Sequence, residues 1–489
     1  MIYVVIALYY LALAFILMFS LCQLHLTFHY LRRKKNLFNV EGTELPSPPT
    51  WPRVTVQLPL YNEPFVVERL LLAITALDYP GEQLEIQVLD DSTDGSVEII
   101  ERCVDAMRNE GLDVVRLTRT QRTGFKAGAL QNGLAVAKGE YIAIFDADFL
   151  PEKDFLKKII PYFSSDNIGM VQTRWGHLNK DYSLLTRLQA FGLDAHFSIE
   201  QVGRSGAGSF INFNGTGGIW RKSCIHDAGG WSADTLTEDL DLSYRAQLRG
   251  WKFAYLENVV APAELPVLME AIKSQQFRWN KGAAETARKN LPKVLSSSLG
   301  LTHKLHAVFH LLNSSIFICI LLAGLLSIPL LLIYDAHPHT APPLPVGILF
   351  LIGFISISTF YFVATKWSYP SHPWRYFVTT YPLFLTIFMG LSLHNAWAVL
   401  EGLSGIKSPF IRTPKYNIHG KKKDWKKNLS EKSHISVMTV LEGLLCLYFV
   451  FGIATGIYLG NFTLIVFHSM LALGYASIFY FSIRPTKFA

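Results

Sequence analysis

The chain has 489 residues, half of them apolar, with 45 Lys and Arg against 38 Asp and Glu for a net charge of +7. That is too long for one simple domain and too apolar for an ordinary soluble enzyme. The positive charge gathers beside the apolar stretches, which points to anionic lipid headgroups and not to nucleic acid.

The first apolar stretch, residues 2–30, ends in Arg32, Arg33, Lys34 and Lys35. It is too long for the core of a signal peptide and reads as a retained anchor, so residues 1–35 form an N-terminal transmembrane unit. Further apolar stretches occupy 305–333, 345–365, 376–399, 434–458 and 462–482. Each approaches or exceeds the ~20 residues that a helix needs to cross a bilayer. Between the anchor and the second stretch lies a polar domain. Nine Lys and Arg in 407–432, set against none in 334–344 or 459–461, place that segment and the polar domain on the cytoplasmic side. Three full crossings between 305 and 399 would put 407–432 outside, so one of them is expected not to cross. The candidates are 376–399, which holds Pro382, His394 and Asn395, and 345–365; six spans with a basic external loop is the alternative. The five cysteines are scattered, without a CxxC pair, and read as buried thiols in a reducing compartment.

From residue 53 the chain alternates short β-rich runs with helical patterns, the mark of an α/β layer with a mostly parallel sheet. Val54–Pro59 reads as a first strand ending at Tyr61-Asn62-Glu63-Pro64, which opens a helix to about Leu77. A second strand, Leu84–Leu89, runs into Asp90-Asp91-Ser92-Thr93-Asp94-Gly95. Ligands gather at the carboxyl ends of parallel strands, although the same string is also an ordinary turn and helix cap. Gln121–Leu130 leads into a helix, with small residues that permit close approach and Arg122 and Lys126 to meet a phosphate or simply to face water.

Tyr141–Phe145 reads as a buried strand delivering Asp146-Ala147-Asp148. On an extended chain carboxylates at i and i+2 point the same way, and their repulsion calls for a cation. Hard oxygen donors suit Mg²⁺ or Mn²⁺ bridging to a diphosphate. Phe213–Gly218 could let a sugar approach the backbone and precedes a helical pattern over Arg221–Ala228. Thr237-Glu238-Asp239 opens a helix through Leu248, where an acid is also a common cap. Gln275, Arg278 and Trp279, at i, i+3 and i+4, share one helix face. Trp offers a surface for a sugar ring, Arg a fork for phosphate and Gln a hydrogen bond for a hydroxyl, while an interfacial anchor is the plainer reading. Residues 283–300, with Arg288, Lys289 and Lys293 among apolar residues, read as an interfacial helix.

The ordered set Asp90-Asp91, Asp146-x-Asp148, Thr237-Glu238-Asp239 and Gln275-x-x-Arg278-Trp279, followed by apolar spans, resembles the processive family 2 glycosyltransferases, above all the cellulose-synthase-like proteins that make glucomannan or xyloglucan-type β-1,4 backbones. The likeness runs from about residue 53 to 282. It implies a GT-A-type α/β domain over residues 50–282 joined to a helical transmembrane domain. It further implies a nucleotide-sugar donor, UDP-glucose or GDP-mannose, bound near Pro59, Tyr61, Glu63, Asp90, Asp91, Lys126 and Asp146, with the metal on Asp148 and Asp146. Asp239 would be the general base with Glu238 beside it. Gly215, Thr216, Gln275, Arg278 and Trp279 would hold the diphosphate and the growing glycan.

The resemblance extends to Ser408–Lys415, similar to the gating segment of cellulose synthases, with Phe410, Arg412, Thr413 and Lys415 as gate residues; lipid headgroup binding by this loop is the alternative. The remaining divisions are transmembrane or interfacial helices over 301–399, a basic cytoplasmic loop over 400–433 and a C-terminal hairpin over 434–489. The expected activity is inverting, metal-dependent elongation and translocation of a β-1,4 glycan. A lipid glycosyltransferase with a ceramide- or diacylglycerol-type acceptor is the second reading. A non-catalytic transporter or receptor is the third, and the complete set of acidic motifs argues against it.

Overall fold

Seven strands form the sheet of the polar domain: β1 (Val54–Leu60), β2 (Leu84–Asp90), β3 (Asp113–Thr118), β4 (Tyr141–Ile144), β5 (Ile168–His177), β6 (Gly218–Arg221) and β7 (Lys252–Ala263). The coordinates are a computed structural model that describes residues 2–37, 47–340, 346–418 and 435–483. Strand order is β3-β2-β1-β4-β6-β5-β7, and β6 is antiparallel to both its neighbours while every other pairing is parallel. The central strands are buried on both faces, as apolar runs in a parallel sheet must be. Polar residues inside them are matched across the register: Thr55 donates to Glu85 at 2.5 Å and Gln57 to Gln87 at 2.9 Å.

Because only β6 is reversed, the carboxyl ends of β1, β2, β3, β4 and β5 all reach one edge, and the loop before β6 arrives there as well. The motifs that follow β1 to β4 or precede β6 lie on that edge, and Thr237-Glu238-Asp239 reaches it from the start of a later helix. Helices α2 (Val67–Thr75), α3 (Ser96–Asn109), α4 (Phe125–Val136), α5 (Phe155–Ile159), α6 (Leu184–Ala195), α7 (Gln201–Gly206), α8 (Lys222–Asp227) and α9 (Glu238–Leu248) join the strands. Gly218–Arg221 is a strand, so the helix expected from Arg221 begins one residue later.

Helix α10 (Met269–Ser296) carries Gln275, Arg278 and Trp279 and continues without a break through most of 283–300. One face of that second half packs on the sheet domain: Glu285, Thr286 and Asn290 are buried. Asn290 donates to Asp241 at 2.9 Å, Lys289 pairs with the same carboxylate at 3.0 Å, and Glu285 accepts the Leu236 amide at 2.8 Å. A short α11 (Leu301–Leu311) follows.

The apolar part comprises α1 (Ile2–Leu37), α12 (Ile316–Ala336), α13 (Val346–Ser368), α14 (Pro373–Gly390), α15 (Ser392–Ser404), α16 (Val437–Tyr458) and α17 (Ile465–Ile483). Among the described residues five helices are long and apolar enough to cross a membrane: α1, α12, α13, α16 and α17. The pair α14 and α15 is bent by 51° at Leu391. The 376–399 stretch is therefore a broken element, and residues 346–365 lie in one continuous helix. Arm α15 lies against α10, with Glu401 on Lys281 at 2.8 Å. A second buried pair, Lys273 with Glu442 at 2.8 Å, ties α10 to α16, and Ser482 on α17 accepts from the same ammonium. All five cysteines are free thiols, and residues 419–432 of the basic segment lie outside the described residues.

Candidate active site

Two cavities meet at the sheet edge. The first, about 200 Å³, is lined by Pro59, Tyr61, Glu63, Asp91, Lys126, Asp146, Asp148, Gly215, Glu238, Asp239, Gln275, Arg278, Trp279, Phe410, Arg412, Thr413 and Lys415, so nearly the whole sequence-derived set comes together. The second, about 830 Å³, runs on among α1, α12, α13, α14 and α17. Trp175, Asn214, Asp239, Gln275 and Trp279 border both.

Two expected residues stand apart. Asp90 is buried against Arg116, whose guanidinium lies 2.8 Å from Oδ2, while Oδ1 accepts the Ser92 amide at 2.9 Å. It fixes the loop after β2 and leaves the cavity to Asp91. Thr216 is fully buried, and its hydroxyl accepts the Asp146 amide at 2.9 Å, so it holds the end of β4 in place.

The Asp-x-Asp pair also differs from expectation. Strand β4 stops at Ile144, and Phe149 N donates to Asp146 O at 3.0 Å, so Asp146–Phe149 is a turn and not an extended run. Both carboxylates still face the first cavity, each with its own lysine. Asp146 Oδ1 is 2.5 Å from Lys126 Nζ, and Asp148 Oδ2 is 2.6 Å from Lys415 Nζ. Burial alone would lower the pKa of Lys126, but Asp146 and Glu238 reverse that and hold it above the ordinary value. Among the described residues no group of three His, Cys, Asp or Glu is gathered as a metal site. The donors that do fit a hard cation are the two carboxylates, and the ammonium on Asp148 already stands where positive charge is wanted.

The helix start that carries Glu238 and Asp239 is clamped from two sides. Gly282 on α10 lies under Thr237, where a side chain would collide with it, and the Thr237 and Thr286 hydroxyls are 3.2 Å apart. Gly215, at φ +81°, brings its backbone so near that a Cβ would sit 3.0 Å from Asp239 Oδ2. Burial raises the pKa of Asp239, and the neighbouring Glu238 carboxylate raises it further; burial likewise raises Glu238, which Lys126 opposes. Asp239 is thus poised to accept a proton nearer neutrality than an exposed aspartate.

Residues 408–418 lie across the opposite wall. Arg412 reaches Glu63 at 2.5 Å, Thr413 accepts from Arg278 at 2.7 Å, and the Phe410 ring lies 4.6 Å from the Arg278 guanidinium and 5.7 Å from Phe125. Burial pushes Glu63 up to about 7 against the pull of Arg412. Glu264 accepts the Tyr416 and Ile418 amides at 2.9 and 3.2 Å and pairs with Arg69 at 3.1 Å, anchoring the segment.

Sequence reasoning passed over Arg119, Trp175 and Glu264. Arg119 follows β3 directly and holds Asp91 by two bonds of 2.9 and 2.5 Å. Trp175 lies near the end of β5 and Glu264 just after β7. The strand-end rule that found Asp91 would have found the first two, had β3 and β5 been recognised.

Residues 52–282 match the family model described as "Glycosyltransferase like family 2". Over 266 residues the chain is 40% identical to "Glucomannan 4-beta-mannosyltransferase 1" of Oryza sativa subsp. japonica, covering 53% of this chain and 51% of that protein. Over 253 residues it is 42% identical to "Glucomannan 4-beta-mannosyltransferase 7" of Arabidopsis thaliana, covering 51% and 46%. The matches therefore span about half the length of these relatives. The solved structure "Mannosyltransferase PcManGT from Pyrobaculum calidifontis in complex with GDP-Man and Mn2+" is similar in fold, with a TM-score of 0.53 at 21% identity over 81% of this chain and 100% of that one.

Proposed function

With residues 52–282 a glycosyltransferase-like family 2 domain of GT-A type, we propose that the chain is a membrane-embedded inverting β-glycosyltransferase. It takes a hexose from GDP-mannose or UDP-glucose, adds it to a β-1,4-linked glycan and passes the product along its own apolar helices. One observation carries this: Asp239 and Trp279 border both a small charged cavity and a large one that continues among those helices. The glucomannan mannosyltransferase names of the relatives support a β-1,4 product and favour GDP-mannose.

The chemistry needs one base. Asp239 accepts the proton of an acceptor hydroxyl as that oxygen bonds to the anomeric carbon; the bond to the diphosphate breaks, and its electron pair leaves with the phosphate. Glu238 stays close enough to raise the proton affinity of Asp239. Lys126 and Arg278 meet the departing charge, and Trp279 offers its face to the acceptor sugar. A Mg²⁺ or Mn²⁺ held by Asp148 and Asp146 would neutralise the diphosphate when bound. Segment 408–418 closes the donor end, and the domain faces the cytoplasm, where its donor is found.

The test is incubation of the detergent-solubilised protein with labelled GDP-mannose and UDP-glucose in turn, with Mg²⁺ or Mn²⁺, followed by linkage-specific glycanases. A glycan cut by a β-1,4-mannanase or glucanase is expected. The second cavity also favours a second reading, because its membrane part is walled by residues such as Leu17, Phe317, Phe354 and Phe467. A chloroform-soluble product bearing one sugar would establish that lipid glycosyltransferase instead.

A further inference from the structure

The second cavity has one buried charged group on its wall that the reaction above does not use. Glu200 is buried, and both of its oxygens are engaged: Arg204 donates to Oε1 through two nitrogens at 3.1 and 2.8 Å, and His196 Nδ1 lies 2.9 Å from Oε2. Burial would raise this carboxyl, but Arg204 and His196 hold it well below the ordinary range, so it is ionised and His196 Nδ1 is the donor. His196 Nε2 then accepts from Asn214 Nδ2 at 3.1 Å, and Asn214 Oδ1 accepts from Gln201 at 2.8 Å.

The backbone is adapted to this chain of bonds. His196–Glu200 is a π-turn wedged between α6 and α7, a departure from α-helical bonding that often accompanies functional sites. Residues 196, 200 and 204, at i, i+4 and i+8, share one face, and their bonds form a chain that runs from Arg204 through Glu200 and His196 to Asn214 at the cavity. Its last member, Asn214, has two of its amide bonds fixed by the protein, and its second amide hydrogen has no protein partner among the described residues. Asn214 also precedes Gly215, where an added Cβ would sit 3.0 Å from Asp239 Oδ2, and it borders both cavities with Trp175 and Trp279.

Resting on the glycosyltransferase reading, we infer that His196 and Asn214 form a subsite for the acceptor glycan, in which the oriented amide binds a hydroxyl of a pyranose lying between Trp175 and Trp279. His196 acts here as a positioning residue: it aims Asn214 and takes no part in proton transfer. The rival explanation is purely structural, since Arg204 also reaches the His306 carbonyl at 3.4 Å and links α7 to α11.

The experiment measures binding of β-1,4-mannotetraose and cellotetraose to the full chain by intrinsic tryptophan fluorescence, with no donor present, and the acceptor KM and kcat beside it. His196→Ala is expected to weaken tetraose binding about tenfold, as befits the loss of one oriented hydrogen bond, with the effect in KM rather than kcat. His196→Gln, whose carbonyl can still accept from Asn214, is expected to recover most of the affinity. Tetraose binding by His196→Ala equal to wild type overturns the subsite, as does an equal loss in both variants accompanied by a lower unfolding temperature. A wild-type protein that binds tetraose through His196 but consumes no nucleotide-sugar upholds the subsite and overturns the proposed function instead.

Discussion

The two cavities that share Asp239 solve different problems. The smaller is crowded with opposite charges, four of its carboxylates each facing a cation: Asp91 with Arg119, Asp146 with Lys126, Asp148 with Lys415 and Glu63 with Arg412. The larger is walled mainly by aliphatic and aromatic side chains, and its charges are paired away in the wall, as Glu200 and Arg204 are. A charged ligand must exchange partners on entering the first, whereas a sugar chain entering the second needs flat surfaces and a few aimed hydrogen bonds. Charge is thus concentrated at the sheet edge and kept out of the apolar cavity, as the proposed transfer of a neutral glycan away from a diphosphate would require.

The sharpest way to break that comparison is at its junction. Asp239→Asn keeps the shape but cannot take a proton, and is expected to lower transfer by about 10²- to 10⁴-fold, read as labelled product per minute. Transfer in that variant at the wild-type rate would remove Asp239 from the reaction. Next in size is the pair that joins α10 to α16. Lys273→Met leaves Glu442 buried without its cation, and is expected to destabilise the protein by about 3 kcal/mol in chemical unfolding. Pairing it with Glu442→Leu should return most of that loss.

The pH profile sharpens the comparison further. As the proposed base Asp239 must be deprotonated to act, and its pKa lies above that of an exposed aspartate because of burial and the Glu238 charge. Transfer should therefore fall with acidification, and the fall should begin at a pH above the ordinary aspartate range near 4. An acid limb confined to that ordinary range would mean that another group limits the rate. The smallest effect is expected at the closing segment. Arg412→Ala removes one contact to Glu63 across the donor end, and should raise the donor KM a few-fold while leaving acceptor binding as it was.

Much of the sheet edge could be read from the chain. Apolar runs ending in Asp91 and Asp146 marked the carboxyl ends of two strands, and the helix from Glu238 to Leu248 runs as its pattern predicts. Pairings between distant residues were hidden. Asp90 and Asp91 are neighbours of one type, and only the opposite directions of their side chains send one to Arg116 and the other to Arg119 at the cavity. Residues 283–300 read as interfacial from their cations among apolar residues, but that reading gave no sign that Lys289 pairs with Asp241.

The chemical groups, and the local element that each begins or ends, are legible along the chain because strand and helix periodicity depends on neighbours a few residues apart. Which charge faces which depends on how distant segments pack. Lys415 and Asp148 lie 267 residues apart, and Arg412 and Glu63 lie 349 apart. Such contacts are fixed when the apolar helices pack against the sheet domain, and no short-range preference encodes them.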